Sequence, residues 1–254
     1  MEESVLKKIE ELKNIIANSD NIVFFGGAGV STESGIADFR SEDGVYNTLK
    51  KYGESPETIL SNSYFFNNTD KFYKYYKENI INTSAKPNNA HLSIAKLEEM
   101  GKIKAVISQN IDNLHQEAGS KNVLELHGSI VRNYCTDCGA IYYLDYVTTS
   151  KNIPICNKCG ELVKPDVVLY QEPLNNEIMR KAIEYIANAE VLIIGGTSLV
   201  VYPAAGLIDY FNGDKLVLIN KSSTPYDNQG DLVINESIGE VFKQVLHFLQ
   251  NIYK

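Results

Sequence analysis

Short apolar runs punctuate the chain: Ile22–Phe25, Ile103–Ile107, Val123–Leu126, Val167–Tyr170, Val191–Ile194, Leu216–Ile219 and Leu232–Ile234. Runs of this length read as strands. Helical spacing lies between several of them. It begins with Val5, Leu6, Ile9, Leu12, Ile15 and Ile16, and returns over Asn89–Met100, Asn175–Asn188 and Pro203–Phe211. Ser237 and Glu240 form a capping-box pattern ahead of Val241, Phe242, Val245, Leu246 and Leu249, so a last helix is expected from Ser237. Strands alternating with helices predict an α/β fold built on a doubly wound parallel sheet. At 254 residues the chain makes one large domain, or one domain carrying a smaller inserted module.

Two stretches break the alternation. Residues 41–86 are polar, tyrosine-rich and helical in pattern, with Phe65, Phe66, Phe72, Tyr73, Tyr75 and Tyr76. Residues 131–162 hold all four cysteines. The expected organisation is therefore a large domain from 1–40, 87–130 and 163–254. A helical module (41–86) and a cysteine module (131–162) together form a small, discontinuous domain.

The cysteines, Cys135, Cys138, Cys156 and Cys159, are spaced C-x2-C-x17-C-x2-C. Two short pairs separated by such a loop can wrap a tetrahedral zinc ion, and Gly139 and Gly160 permit the tight turn after each pair. Four thiolates fill the coordination sphere, so one structural Zn2+ is expected with no position left for substrate. Two redox-active pairs are the weaker alternative, because ribbon spacing would then be coincidence.

The run Ile22–Phe25 ends in Gly26-Gly27-Ala28-Gly29-Val30-Ser31. Amides freed of side chains can approach a pyrophosphate, with a following helix N-terminus adding a favourable dipole. Thr32 stands where the dehydrogenase G-x-G-x-x-G pattern needs its third glycine. Just beyond lie Asp38, Phe39 and Arg40: an acid, an aromatic and a cation beside the loop. Later runs deliver Ser108-Gln109-Asn110-Ile111-Asp112 and His127-Gly128 at strand ends, where open α/β sheets build ligand sites. His127 is the expected general base, with Gly128 leaving room beside its ring. His91, His115 and His247 fall in helical patterns and receive no catalytic role. Gly195-Gly196-Thr197-Ser198 follows a second strand, and Asn220 follows a third.

In order, these blocks resemble the bacterial-type sirtuin family, the NAD-dependent protein lysine deacylases. The resemblance runs from about residue 22 to 240. It rests on Gly27–Ser31 with Glu33–Arg40, Gln109–Asp112, His127-Gly128, the cysteine pairs, Pro165–Val168 and Gly196–Ala205. It implies a Rossmann-like large domain, a small zinc-plus-helical domain, and a cleft between them for NAD and an acyl-lysine peptide. NAD would be consumed as a co-substrate, the acyl group passing from lysine to ADP-ribose. By position, Gly27, Ala28, Gly29 and Ser31 would cradle phosphates with Arg40. Asp38 would bind the nicotinamide amide and Phe39 would guard the ribose. Gln109, Asn110 and Asp112 would hold the nicotinamide half, and Gly196, Thr197, Ser198, Asn220 and Ile238 the adenosine half. Val167 and Val168, with Leu199 and Val200, would sandwich the substrate backbone.

Departures from the family pattern include Ala37 for proline, Lys164 for arginine, and Tyr170-Gln171-Glu172 for phenylalanine-glycine-glutamate. Tyr73 matches an acyl-pocket tyrosine of the desuccinylating branch, but Tyr76 sits where that branch has arginine. Neutral acyl groups, acetyl first, are therefore expected; longer-chain deacylation and ADP-ribosyl transfer are the alternatives on this scaffold.

A formal charge of −8 weighs against gripping nucleic-acid phosphates. It also weighs against a zinc ribbon for nucleic acid, since Lys151 and Lys158 are the only cations between the outer cysteines. An acidic surface would attract lysine-rich protein tails. A nicotinamide-linked oxidoreductase is the competing enzyme class; it would reduce its cofactor instead of releasing nicotinamide. No run approaches the roughly 20 apolar residues of a membrane span. No signal peptide is visible, and a cytoplasmic, monomeric enzyme is expected.

Overall fold

In the computed structural model, which describes residues 2–37 and 42–252, nine strands form two sheets. Along the chain they are β1 (Ile22–Gly26), β2 (Ile103–Ser108), β3 (Val123–Glu125), β4 (Gly128–Cys135), β5 (Ile141–Tyr143), β6 (Val163–Val167), β7 (Val191–Gly195), β8 (Lys215–Ile219) and β9 (Leu232–Ile234). The large sheet has the order β3-β2-β1-β7-β8-β9, and every pairing in it is parallel. The strand order reverses between β1 and β7. That is the doubly wound switch point, outside which ligand crevices form.

Alternate residues of each strand feed opposite faces. Phe24, Val106, Ile193 and Val217 pack with α1 (Glu3–Ala17), α6 (Asn89–Glu99) and α10 (Ile238–Ile252). Val23, Phe25, Ile107, Leu192 and Leu218 pack on the other side against α9 (Asn176–Asn188) and the 3-10 segment Ala204–Tyr210. Both faces are dry, which is why the strands read as unbroken apolar runs.

Six of the seven runs became strands of this sheet. The exception is Val167–Tyr170: the strand there is Val163–Val167, and it pairs antiparallel with β4 in the small sheet, order β5-β4-β6. Its burial comes from the small sheet's own core, which a linear apolar run does not reveal.

The stretch 42–80 folds into α2 (Glu42–Tyr52), α3 (Pro56–Ile59), α4 (Asn62–Asn67), α5 (Thr69–Tyr75) and one π turn, Tyr76–Ile80. Its aromatics form a core with the small sheet: Phe65, Phe72, Tyr73 and Tyr76 against Ile130, Val167 and Leu169. Phe72 and Tyr76 stack with centroids 5.4 Å apart. Two short helices complete the structure, α7 (Leu114–Ala118) and α8 (Leu144–Thr149). Among the described residues no helix is long and apolar enough to cross a membrane.

Candidate active site

Strand register gathers the site. Gly26 lies opposite Ser108 and Gly195, Ser108 opposite Glu125, and Gly195 opposite Ile219. The residues that follow, Gly27, Gln109, Gly196 and Asn220, therefore emerge in one row at the carboxyl edge of the sheet, with His127 beyond β3.

The two glycine turns pack on each other. Gly29 N–H donates to the Gly196 carbonyl at 2.7 Å, and Gly27 N–H to that of Gly195 at 3.3 Å. A Cβ on Gly29 would meet Gly196 Cα at 2.7 Å, and one on Gly196 (φ +61°) would meet Val30 N at 2.3 Å. These glycines serve turn-to-turn packing, and their amides are largely spent on it. The chain after Gly27 makes two 3-10 turns, Ala28–Val30 and Thr32–Ser34, ended by Gly35 at φ +81°. The helix N-terminus expected there, with its favourable dipole, is replaced by 3-10 turns that align too few peptides to supply one.

Gln109 and Asn220 brace the second turn. Thr197 N–H donates to Asn220 Oδ1 at 2.8 Å, and Thr197 Oγ1 lies 3.3 Å from Gln109 Oε1. Among the described residues, the buried amide nitrogens of Gln109 and Asn220 have no partner. Such orphaned donors suit a ligand rich in acceptor oxygens, such as a dinucleotide. Ser198 is exposed. Ile238 is 3% exposed and packs in the core, its Cδ1 2.2 Å from where a Gly195 Cβ would sit. Its side chain supports the glycine turn.

Ser31 is a hub. Its hydroxyl donates to Asp112 Oδ2 at 2.6 Å and accepts from Asn110 Nδ2 at 3.0 Å. Asp112 Oδ1 also accepts the Leu114 N–H at 2.9 Å. Behind Ser31 stands His91, whose Nε2 lies 3.5 Å from the hydroxyl while Nδ1 accepts the Asn88 N–H at 3.3 Å. Asn88 Nδ2 donates to the Val30 carbonyl at 2.7 Å. Sequence reading missed His91 and Asn88. The available signal was position: they form the capping box that opens α6, with His91 turned back toward the preceding loop. Burial holds the His91 imidazole down at about 4, against the upward pull of Asp112.

His127 is half-buried, and its Nδ1 lies 2.7 Å from the Gln109 carbonyl. A carbonyl only accepts, so Nδ1 carries a proton, and in the neutral ring Nε2 holds the lone pair. That is the tautomer of a base. Gly128 sits at φ +77°, and a Cβ there would lie 2.0 Å from the Asp166 carbonyl. Glycine is required for β4 to approach β6.

A cavity of about 630 Å³ joins these parts. Its lining combines polar groups, Ser31, Gln109, Asn110, Asp112 and His127, with apolar ones, including Leu60, Ile80, Ile130, Leu169 and Leu174. Ala28, Val167, Val168 and Tyr76 also line it. Nothing in the sequence separated those apolar groups from core. Tyr73 is absent from the wall: it is 2% exposed and its hydroxyl donates to the Val163 carbonyl. Tyr76 is buried, and desolvation raises its pKa well above the ordinary tyrosine value. Leu199, at φ +57°, is buried in the sheet core, so its side chain does not face a peptide; Val200 is 59% exposed. Asp38, Phe39 and Arg40 lie outside the described residues.

The four cysteine sulfurs lie within 4.8 Å of one another, with Cys135 and Cys159 at 3.3 Å and Cys138 and Cys156 at 3.6 Å. Zn–S bonds of about 2.3 Å put tetrahedral sulfurs about 3.8 Å apart, so the residues fit zinc. Gly139 and Gly160 take the positive φ values, +67° and +87°, that close each turn.

The Sir2 family model matches residues 27–203. An NAD-dependent protein deacetylase of Clostridium acetobutylicum is 60% identical over 95% of this chain and 99% of its own. One of Staphylococcus epidermidis is 46% identical over 94% and 97%. Among solved structures, a Sir2 with deacetylated peptide and 3′-O-acetyl-ADP-ribose superposes with TM-score 0.85 at 39% identity, covering 94% of this chain and 97% of that one. A Sir2 bound to acetylated peptide gives 0.83 at 36%, covering 95% and 98%.

Proposed function

The chain belongs to the Sir2 family, and from that premise we propose how its own residues perform the reaction. It is an NAD-dependent protein deacetylase of the sirtuin type, moving an acetyl group from lysine to ADP-ribose with release of nicotinamide. NAD is spent as a co-substrate; when bound, it supplies an electrophilic ribose carbon and the nicotinamide leaving group.

The observation that carries the residue assignment is the His127 tautomer. With Nδ1–H committed to the Gln109 carbonyl, Nε2 takes a proton from a ribose hydroxyl. With the acyl oxygen having displaced nicotinamide from the ribose carbon, the deprotonated hydroxyl would take over the acyl carbon, and water would release the lysine amine. Asn110 and Asp112, both held by Ser31, orient the nicotinamide ribose and nicotinamide. Gly27, Ala28 and Gly29 line the phosphates, with Arg40; Asp38 and Phe39 hold the amide and shield the ribose from water. Gly196, Thr197, Ser198 and Asn220 take the adenosine half. Val167 and Val168 face Leu199 and Val200 across the peptide, meeting it through main-chain groups. Cys135, Cys138, Cys156 and Cys159 hold one zinc ion, which supplies folding energy and no chemistry.

Acetyl is the preferred acyl group, because Tyr76, not a cation, borders the cavity. Longer acyl chains are the second reading, favoured by the apolar wall from Leu60 to Leu174. In this reading residues 1–40, 87–130 and 163–254 form the NAD-binding domain, less β6, and the modules 41–86 and 131–162 form the other. The protein works as a cytoplasmic monomer without nucleic acid. Four reduced cysteines and a charge of −8 support that.

Purified protein, NAD and an acetyl-lysine peptide should yield nicotinamide, detected by mass, with no reduced cofactor. His127→Ala should lower turnover on the order of 100-fold or more while fold and bound metal persist. Near-normal turnover by that variant refutes the assignment of the base.

A further inference from the structure

Between β6 and α9 the chain doubles back on a buried ion pair. Lys164 is 5% exposed at its side chain, and its Nζ lies 3.1 Å from Glu172 Oε2. The same ammonium donates to the Val167 carbonyl at 3.0 Å and that of Pro165 at 3.3 Å. Glu172 is fully engaged: Oε2 also accepts the Leu169 N–H at 2.9 Å, and Oε1 accepts Asn62 Nδ2 at 2.7 Å. Asn62 opens α4 in the helical module. That module is stitched to the loop by three further bonds: Tyr170 N–H to the Leu60 carbonyl at 3.0 Å, Asn62 N–H to the Tyr170 carbonyl at 2.9 Å, and Ser63 N–H to Gln171 Oε1 at 3.0 Å.

Next to Glu172 sits Gln171 at φ +77°, a left-handed conformation that is strained for a residue with a side chain. Such strain persists only where surrounding bonds over-determine it, as here. The loop so held, Val167 to Glu172, is a continuous part of the cavity wall. Among the described residues the hydrogen bonds of the Lys164, Glu172 and Asn62 side chains stay within β6, this loop and α4; toward the Ser31 hub the loop is joined by main chain, as where Val168 N–H donates to the His127 carbonyl at 2.9 Å.

We propose that Lys164 and Glu172 are positioning residues for the acyl-lysine substrate: their ion pair sets the peptide-side wall of the cavity and locks it to the helical module through Asn62. This rests on the deacetylase reading above. Neutralising Glu172 leaves the buried Lys164 ammonium without its counter-charge, and removing Lys164 takes away the group that ties Glu172 to the Val167 carbonyl, so either change shifts the wall. NAD-side groups stay in place.

The test is steady-state kinetics of nicotinamide release with acetyl-lysine peptide and NAD varied separately. Lys164→Met and Glu172→Gln should raise the peptide KM about tenfold and leave the NAD KM within about twofold. Lys164→Arg, which keeps charge and donors, should restore the peptide KM to within about threefold. Asn62→Ala keeps both charges, cuts only the tie to α4, and should raise the peptide KM in the same direction; it decides the matter if the charge variants do not fold. An unchanged peptide KM, an equal rise in both KM values, or an arginine variant as poor as the methionine one overturns the proposal. A wild type that releases no nicotinamide overturns the deacetylase reading, and the clamp's role with it.

Discussion

His91 and His115 share a ring contact beneath the Ser31 hub, centroids 4.8 Å apart. His115 is buried with both ring nitrogens unpartnered among the described residues, and Phe24 packs against it at 5.9 Å. Burial, then the neighbouring His91, holds its pKa down at about 3, and burial holds His91 at about 4. In the unfolded chain both return to about 6.5. Below that value the unfolded state binds more protons than the folded one, so stability falls as pH falls. Above about 6.5 both imidazoles are neutral in both states and add no slope. The urea midpoint should therefore drop between pH 6.5 and about 4, and His115→Leu should flatten part of that drop. An unchanged slope in the variant would show that this imidazole stays hydrated. The functional consequence is that above about pH 4 Ser31 meets a largely neutral ring.

Among the elements, the three-stranded sheet has the least core of its own. Cys135 and Cys156 are themselves among its buried residues, together with Ala140, Tyr142 and Val163. Metal binding there is folding energy. Yet β6 also carries Val167 into the cavity wall, so the zinc module and the peptide site share a strand. Stripping the metal with a chelator should speed hydrogen exchange in β4, β5 and β6, leave β1 and β7 protected, and abolish peptide turnover until zinc is returned. Full turnover by metal-free protein would separate the two. β1 and β7 are spared because helices cover both of their faces.

Across the molecule, the formal charge is −8, and a zinc tetrathiolate replaces four neutral thiols by a centre of net charge −2. A field of that sign steers cationic peptides toward the surface and is screened by salt. For an acetyl-lysine peptide flanked by lysines, kcat/KM should fall as ionic strength rises. With flanking glutamates the dependence should reverse, and identical salt curves for the two peptides would remove steering from the account.

Much of the architecture was written locally. Ile22–Phe25, Val191–Ile194 and Leu216–Ile219 must be strands covered on both sides, because runs that short and that apolar have no other stable place. The cysteine spacing closes a tetrahedron by chain length alone. What stayed hidden depends on neighbours distant in sequence. Val167 looked like the other runs until antiparallel pairing with β4 placed it in the small sheet. Gly128 and Gly29 gained their reasons only from the backbones lying against them. Leu60, Ile130 and Leu169 were indistinguishable from core, since an apolar side chain carries no mark of whether a cavity or another side chain will face it.

The sequence alone thus determined the parallel sheet, the metal ligands and the set of polar groups at the strand ends, because periodicity and spacing are properties of the chain itself. Only the tertiary structure decided which of those groups meet: the tautomer of His127, the Ser31 hub, the clamp from Lys164 to Glu172. Hydrogen bonds and ion pairs act over a few ångströms, and the fold alone brings residues many positions apart to that distance.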